Sequence, residues 1–136
     1  MSDTTLDTRM MAAEPDTIAP DGSEIRFLPQ LKGGSMVHCR VPAGGTTLAV
    51  RHRTVEEVWY VLAGIGEIWR KLEDEERVDE LCEGTAVTLP LGVHFQFRNT
   101  GRSPLDIVIV TMPPWPGMDE AERVPDHWPV QHPPET

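Results

Sequence analysis

From residue 23 onward, short apolar runs alternate with clusters of glycine, proline and asparagine. Side chains of a β-strand point alternately to its two faces, so short runs bounded by turn residues predict strands. No segment shows a long 3.6-residue periodicity, and the best helix candidate, residues 119–123, is a single turn. Many short strands at this spacing indicate an all-β sandwich or barrel, and the acidic residues 73–76 between two of them indicate a solvated hairpin tip. The predicted strands are residues 24–28, 36–41, 46–53, 58–62, 66–72, 85–89, 95–99 and 105–112.

The two ends of the chain depart from this pattern. Residues 1–22 are polar and interrupted by proline, which predicts an arm that is flexible or exchanged between subunits. Residues 113–136 are rich in proline and carry Trp115 and Trp128, which predicts an extended strip on the barrel or on a neighbouring subunit. The barrel domain is therefore expected to comprise residues 23–112.

Length and charge narrow the possible functions. With 136 residues the chain fits one domain with a single core. Its formal net charge of -10 argues against nucleic-acid and anionic-membrane partners, since both need a basic surface. Residues 1–20 lack the apolar segment of a secretory signal, and no run approaches the ~18 apolar residues of a membrane span. Cys39 and Cys82 form no disulfide framework, so we expect two reduced thiols in a cytoplasmic protein.

Two stretches carry regularly spaced glycine, proline, glutamate and asparagine. The residues at these spacings are Gly45, Glu57, Gly64, Gly84, Pro90, Gly92 and Asn99. The spacing resembles the two signature motifs of the cupin family, G-x5-H-x-H-x3-E-x6-G and G-x5-P-x-G-x2-H-x3-N. The resemblance covers about residues 36–112. It implies a small single-domain cupin, that is, a jelly-roll barrel or double-stranded β-helix of antiparallel strands, and it implies a homodimer.

The histidine positions of these motifs hold other residues. Arg51, Arg53 and Phe95 occupy them, and Glu57 alone remains of the four usual metal ligands. A guanidinium is always cationic and has no lone pair to offer, and a phenyl ring has none either. The sequence therefore predicts no metal cofactor. Because strand side chains alternate, Arg51 and Arg53 share one face, and the resemblance turns that face into the barrel.

Inward arginines favour a small anionic organic ligand, such as a sugar acid or another carboxylate or phosphate. The guanidinium group grips such anions through two parallel hydrogen bonds. Trp59, Phe95 and Phe97 are expected to supply the apolar wall of the same ligand site. Glu57 is the candidate general acid or base of an isomerase-like or epimerase-like reaction. A cluster of arginine and glutamate that only neutralises itself is an equally open interpretation.

Two further hypotheses remain open. His52 and His94 each lie one residue from a ligand position, and a β-bulge in each strand would turn both inward. With Glu57 they would form a two-histidine, one-carboxylate site for iron, manganese, nickel or zinc in a metal-dependent oxygenase or isomerase. The third hypothesis is a non-catalytic barrel that senses a ligand or associates with another protein.

Overall fold

The computed structural model describes residues 6–131 and contains two antiparallel sheets that face each other. A single 3-10 turn, Met118–Glu120, precedes the last strand. The strands are β1 (Thr17–Ile18), β2 (Glu24–Leu31), β3 (Gly34–Val41), β4 (Val50–His52), β5 (Glu56–Ala63), β6 (Ile65–Leu72), β7 (Glu75–Cys82), β8 (Ala86–Leu89), β9 (His94–Asn99), β10 (Leu105–Met112) and β11 (Ala121–Arg123).

The sheet order is that of a jelly roll. The first sheet runs β1-β2-β3-β10-β5-β8 and the second runs β11-β4-β9-β6-β7. Strands that alternate in sequence between the two sheets close a barrel whose core lies between them. The all-β prediction is therefore confirmed. None of the described residues forms a helix that is long and apolar enough to cross a membrane.

The core follows from the alternation of side chains along the strands. Inward positions of both sheets carry aliphatic and aromatic side chains, and the outward positions are mostly polar. At the turn between β5 and β6, Gly64 has φ 96°, and a Cβ there would lie 2.5 Å from the Pro104 carbonyl oxygen. Glycine alone fits this conformation and this contact, which explains the end of the first motif. The residues of the core with less than 1% exposure are Cys39, Val61, Ile68, Leu81, Phe97, Leu105 and Ile107.

Strand β7 is the one long strand that the apolar pattern does not predict. It is the edge strand of the second sheet, and only Leu81 of its eight residues is buried. Charged side chains on both faces of an edge strand oppose pairing with another chain and also remove the alternation that identifies a strand. The predicted hairpin tip is confirmed in part. Leu72 and Glu75 form the last pair of β6 and β7, so the turn itself is Glu73 and Asp74.

A one-residue bulge precedes β4. Thr46 pairs with Arg98, whereas Val50 pairs with Phe95, so this segment advances four residues while β9 advances three. The N–H groups of the bulged residues leave the ladder and bond to the chain ends. Leu48 N–H donates to the Asp21 carbonyl, 2.9 Å away. The N–H of Ala49 donates to the Asp126 carboxylate at 3.0 Å. A bulge reverses the face of every later residue in its strand.

Both chain ends lie on their own barrel wherever the structure describes them. In the arm, β1 pairs with β2, and the buried Arg26 donates hydrogen bonds to the carbonyls of Ala12 and Ala13. In the tail, β11 pairs with β4, so the barrel continues beyond residue 112 to Arg123. Exchange of the arm between subunits stays a prediction.

Candidate functional site

A cavity of about 470 Å³ opens between the two sheets at the end of the barrel where the N-terminal arm and the tail meet. Its inner walls carry His52 from β4, Glu57 and Trp59 from β5, and Phe95 from β9. Trp115, from the segment after β10, forms another wall. The volume lies within the range of small-molecule pockets, and apolar walls with few polar groups are typical of them.

The bulge before β4 decides which residue of the first motif faces this cavity. His52 is only 8% exposed and lines the cavity, whereas Arg51 and Arg53 are exposed on the outer face. The prediction that the two arginines point into the barrel is therefore wrong. On the outside, Arg51 forms a 3.0 Å ion pair with Glu122 of the neighbouring β11. A guanidinium can keep its hydration there, which it would lose among aromatic rings.

Glu57 is buried and held by two hydrogen bonds. Its Oε1 accepts from Trp59 Nε1 at 3.0 Å, and its Oε2 accepts from Thr111 Oγ1 at 2.6 Å. Burial raises the pKa of Glu57 above its ordinary value, and these two hydrogen bonds offset part of that effect. Thr111 lies directly opposite Glu57 in the pairing of β10 with β5. The carboxyl group is thus fixed in orientation and easier to protonate than an exposed one.

His52 has capacity for hydrogen bonding that the described chain does not use. Its Nδ1 lies 3.9 Å from Glu57 Oε1, beyond hydrogen-bond distance, and neither ring nitrogen has a hydrogen-bond partner among residues 6–131. The ring meets Phe95 and Trp115 edge-on, with centroids 5.2 Å and 5.3 Å away. Burial lowers the pKa of His52, although nearby Asp21 and Glu120 oppose this. Near neutral pH the imidazole is therefore uncharged.

Two acidic residues that sequence reasoning missed complete this region. Asp21 lines the cavity, and its Oδ1 accepts both the hydroxyl of Ser23 at 2.7 Å and the backbone N–H of Ser23 at 3.0 Å. Burial raises the pKa of Asp21 despite these bonds. For Glu120, burial also acts to raise the pKa, but hydrogen bonds from Thr54 and from the Val55 N–H outweigh it and lower the pKa. The Asp21 carboxyl group faces the cavity, and the Glu120 carboxyl group supports the wall behind His52.

The three predicted aromatic residues do not all line the cavity. Trp59 and Phe95 do, and they meet edge-on with centroids 5.8 Å apart. Phe97 is fully buried behind them and packs against Trp59 at 4.8 Å. It belongs to the core and supports the wall. Trp115 takes the place expected for a third aromatic residue, although it lies outside both motifs.

Comparison with known proteins now fixes the family. The sequence profile of the cupin domain matches residues 37–111, more than half of the chain. The chain belongs to the cupin family. Its motif residues occupy the turns and strands described above.

Two curated proteins are similar to this cupin. The uncharacterized protein MJ1618 of Methanocaldococcus jannaschii is 33% identical over 116 residues, which are 79% of this chain and 90% of that protein. The xanthan biosynthesis protein XanB of Xanthomonas campestris is 32% identical over 83 residues. That match covers 60% of this chain but only 17% of XanB.

Solved structures show the same fold at lower identity. The protein BH2720 of Bacillus halodurans superposes with a TM-score of 0.62 at 19% identity, covering 75% of this chain and 76% of that protein. An oxalate decarboxylase of Bacillus subtilis also gives a TM-score of 0.62, at 17% identity, over 74% of this chain and 28% of the decarboxylase. These likenesses confirm the jelly-roll fold.

The metal site implied by the cupin motifs does not fit the residues of this chain. His52 is turned inward as the metal hypothesis required, but His94 lies half-exposed on the outer face of β9, where it pairs with Arg51 and Lys71. Among residues 6–131, no three histidine, cysteine or acidic side chains are arranged to hold a metal ion. Two converging donors fall short of the three or four that such ions require.

Proposed function

We propose that this cupin binds a small organic molecule in the barrel cavity and contacts the polar group of that molecule through His52 and Glu57. The observation that carries the proposal is the buried imidazole of His52, which faces a cavity of about 470 Å³ and makes no hydrogen bond within the described chain. Buried polar groups in folded proteins nearly always have a partner. The nitrogens of His52 reach the space of the cavity, where a polar group of a ligand can supply that partner in place of water.

The shape of the site favours a ligand with a compact apolar body. Trp59, Phe95 and Trp115 present aromatic surface on several sides. Burial of an apolar group against such walls stabilises the complex by roughly 25 cal/mol for each Å² removed from water. The polar group would then lie against His52 and Glu57, the two polar side chains between these walls.

The same pair of residues is suited to proton transfer. A neutral imidazole can accept a proton, and the raised pKa of the Glu57 carboxyl means that it keeps its proton to a higher pH than an exposed acid does. In an enzymatic version of the proposal, His52 and Glu57 act as general base and general acid on the bound molecule. Arg51 and Arg53 lie on the outer face and take no part in this proton transfer.

An anionic ligand is the second candidate. Its support in the structure is Arg9 of the N-terminal arm, which lines the cavity and lies 3.2 Å from Asp7. A carboxylate or phosphate could take the place of Asp7 beside this guanidinium. Such a ligand would hold its anionic group at the arm and its apolar body among the aromatic rings.

The proposal is tested by screening a library of compact organic molecules by thermal shift and by NMR of the labelled protein. We expect hits that raise the melting temperature by about 2 °C or more, because a ligand bound only to the folded state stabilises it. The rise should disappear in His52→Leu and persist in Arg51→Ala, a matched change on the outer face of the same strand. A library without any hit, or hits equally strong in His52→Leu, would contradict the proposal.

We also propose that the cupin forms a homodimer in the cytoplasm. The outer face of strand β5, next to the edge strand β8, supports the dimer, since Val58, Tyr60 and Leu62 are 41%, 50% and 44% exposed in one row. Light scattering after size exclusion should give the mass of two chains. Tyr60→Glu should reduce it to one, and a monomer for the unaltered chain at about 100 µM would refute the dimer.

A further inference from the structure

The hydrogen-bond donors around His52 and Glu57 are already used inside the protein. Trp59 Nε1–H and Thr111 Oγ1–H both donate to Glu57. The backbone N–H and the hydroxyl of Ser23 both donate to Asp21. Each of these donors lies next to the cavity, and each points at a carboxylate of the protein. With Glu57 ionised, the one donor that His52, Glu57, Trp59, Thr111 and Ser23 leave to a ligand is the N–H of neutral His52.

The hydrogen-bond acceptors of Glu57, Asp21 and His52 are only partly used within the protein. Each ionised carboxylate has about four lone-pair positions, and Glu57 uses two of them in the described chain. Asp21 Oδ2 has no hydrogen-bond partner among residues 6–131. Neutral His52 also offers one lone pair, whichever of its two nitrogens carries the proton. The site therefore complements a ligand group that donates several hydrogen bonds.

The charged side chains around the cavity also favour a ligand that donates hydrogen bonds, and specifically a cation. Three carboxylates line it, those of Asp7, Asp21 and Glu57, against the single guanidinium of Arg9, which is already paired with Asp7. Glu120 adds a buried negative charge behind the wall, and it acts on both His52 and Glu57. Burial raises the pKa of Asp21 and of Glu57, so a cation bound beside them favours their ionised forms and is attracted in return, whereas an anion is repelled.

The aromatic walls also suit a cation. The faces of Trp and Phe rings carry negative charge density, and a cation within about 6 Å of a ring centre is attracted to it. Trp59, Phe95 and Trp115 lie around the carboxylates on three different segments. A combination of aromatic rings and carboxylates binds an organic ammonium through both its charge and its apolar substituents.

Building on the proposed function, we infer that the ligand is an organic amine, bound as its ammonium ion, with a compact apolar body. The ammonium group donates to Glu57, to Asp21 or to His52, and the apolar body contacts Trp59, Phe95 and Trp115. The Ser35 hydroxyl, which accepts the backbone N–H of Trp115 at 3.0 Å, is free to turn towards either the protein or the ligand. The inference reverses the charge of the ligand that the sequence motifs suggested.

Three compounds of one shape test this inference, namely benzylamine, benzyl alcohol and benzoate. Their affinities for the full chain at pH 7 are measured by calorimetry, with NMR shifts of cavity residues as the record of where they bind. We expect benzylamine to bind at least about tenfold more tightly than benzyl alcohol, and benzoate to bind most weakly. An equal or stronger affinity for benzoate would overturn the inference and favour the anion site beside Arg9.

Variants separate the inference from the proposed function. Glu57→Gln and Asp21→Asn remove one acidic group each with little change in shape. Each should reduce the affinity for benzylamine about tenfold and that for benzyl alcohol by clearly less, because a hydroxyl can still donate to the amide oxygen and carries no charge. Arg51→Ala serves as the control and should change neither. If benzyl alcohol and benzylamine bind equally well and both variants keep that equality, the amine inference fails but the proposed function stands. If neither these compounds nor any member of the wider library perturbs the cavity resonances, the proposed function itself fails.

Discussion

Two buried polar side chains of the second sheet, Gln96 on β9 and His52 on β4, differ in how they use their hydrogen-bonding capacity. Gln96 is fully buried and fills all four of its positions: it donates to the carbonyls of Thr47 and Trp128 and accepts the N–H groups of His127 and Trp128. His52 is almost equally buried on the opposite face and has no such bond in the described chain. Equal burial with opposite hydrogen bonding separates a structural residue from a candidate binding residue.

Gln96, whose hydrogen-bonding positions are all filled, attaches the C-terminal tail to the barrel. Through Gln96, the tail places His127 in a stack on Trp69, with centroids 5.1 Å apart, and Trp128 under the guanidinium of Arg98 at 4.2 Å. The tail also holds the bulge before β4, through the carboxylate of Asp126. Gln96 thus stabilises, at a distance, the register that turns His52 inward.

The largest expected effect is therefore that of Gln96→Leu. The substitution leaves up to four backbone groups without partners, some of which water can reach, and we expect it to lower the free energy of unfolding by about 3 kcal/mol. Denaturant unfolding measures this loss, and NMR should show the tail released from Trp69. His94→Ala, on the half-exposed outer face of the same strand, should change the free energy of unfolding by less than about 0.5 kcal/mol. A loss below about 1 kcal/mol for Gln96→Leu would mean that the hydrogen bonds between Gln96 and the tail contribute little to the free energy of unfolding.

His52→Leu should give the opposite result. Because the described chain provides no hydrogen bond to His52, its loss leaves no partner unsatisfied, and leucine fits the aromatic surroundings. We expect the free energy of unfolding to change by no more than about 1 kcal/mol, in either direction. Ligand binding, measured by calorimetry with any hit from the library, should be lost. A destabilisation comparable to that of Gln96→Leu would show instead that the imidazole is structural.

The variant Glu57→Gln tests how much the buried acid lowers the free energy of unfolding, through the pH dependence of that free energy. Burial raises the pKa of Glu57 in the folded state, so its contribution to stability is present below the ordinary carboxyl pKa of about 4.5 and is lost as pH rises through the raised value. Glutamine does not titrate, so the variant does not lose stability at residue 57 as pH rises. The stability of Glu57→Gln relative to the unaltered chain should therefore increase as pH rises from about 4 to 8. A difference that stays constant over this range would contradict a raised pKa.

Other groups near the cavity set the remaining pH dependence in both proteins. Asp21 has a raised pKa and acts in the same direction as Glu57, whereas His52 and Glu120 have lowered values. A lowered pKa contributes stability above the ordinary value, and this stability is lost as pH falls through the lowered one. Because Glu57→Gln retains these three groups, comparison of the two proteins reports the effect of residue 57 together with the part of the Asp21 pKa shift that Glu57 causes.

Sequence reasoning located the barrel well and the site less well, for physical reasons. Gly64 and the other turn residues act locally, so their spacing identified the strands and the family. The wall contributed by Trp59, Phe95 and Glu57 followed from the same spacing. The face of His52 did not, because a single extra residue before β4 reverses it, and that residue is held by partners far away in the chain.

The residues that sequence reasoning missed share this dependence on distant contacts. Asp21 and Trp115 reach the cavity from segments outside the motifs, and no local pattern brings them there. Thr111 had a usable signal, since it occupies an inward position of a regular strand next to Glu57. Strand β7 had none, because its charged edge position removes the apolar alternation. Edges and bulges are where the alternation of side chains loses its predictive value.

The smallest expected effect belongs to the double variant Arg51→Ala and Arg53→Ala. Both side chains are exposed, and the ion pair of Arg51 with Glu122 is open to solvent and to salt. Exposed pairs of this kind contribute little, so the free energy of unfolding should change by less than about 0.5 kcal/mol. Affinity for a cavity ligand should stay within about twofold of that of the unaltered chain, because neither guanidinium reaches the cavity. Since the register implied by the motifs would place both arginines against the ligand, a loss of tenfold or more in calorimetry would restore that register and refute the bulge.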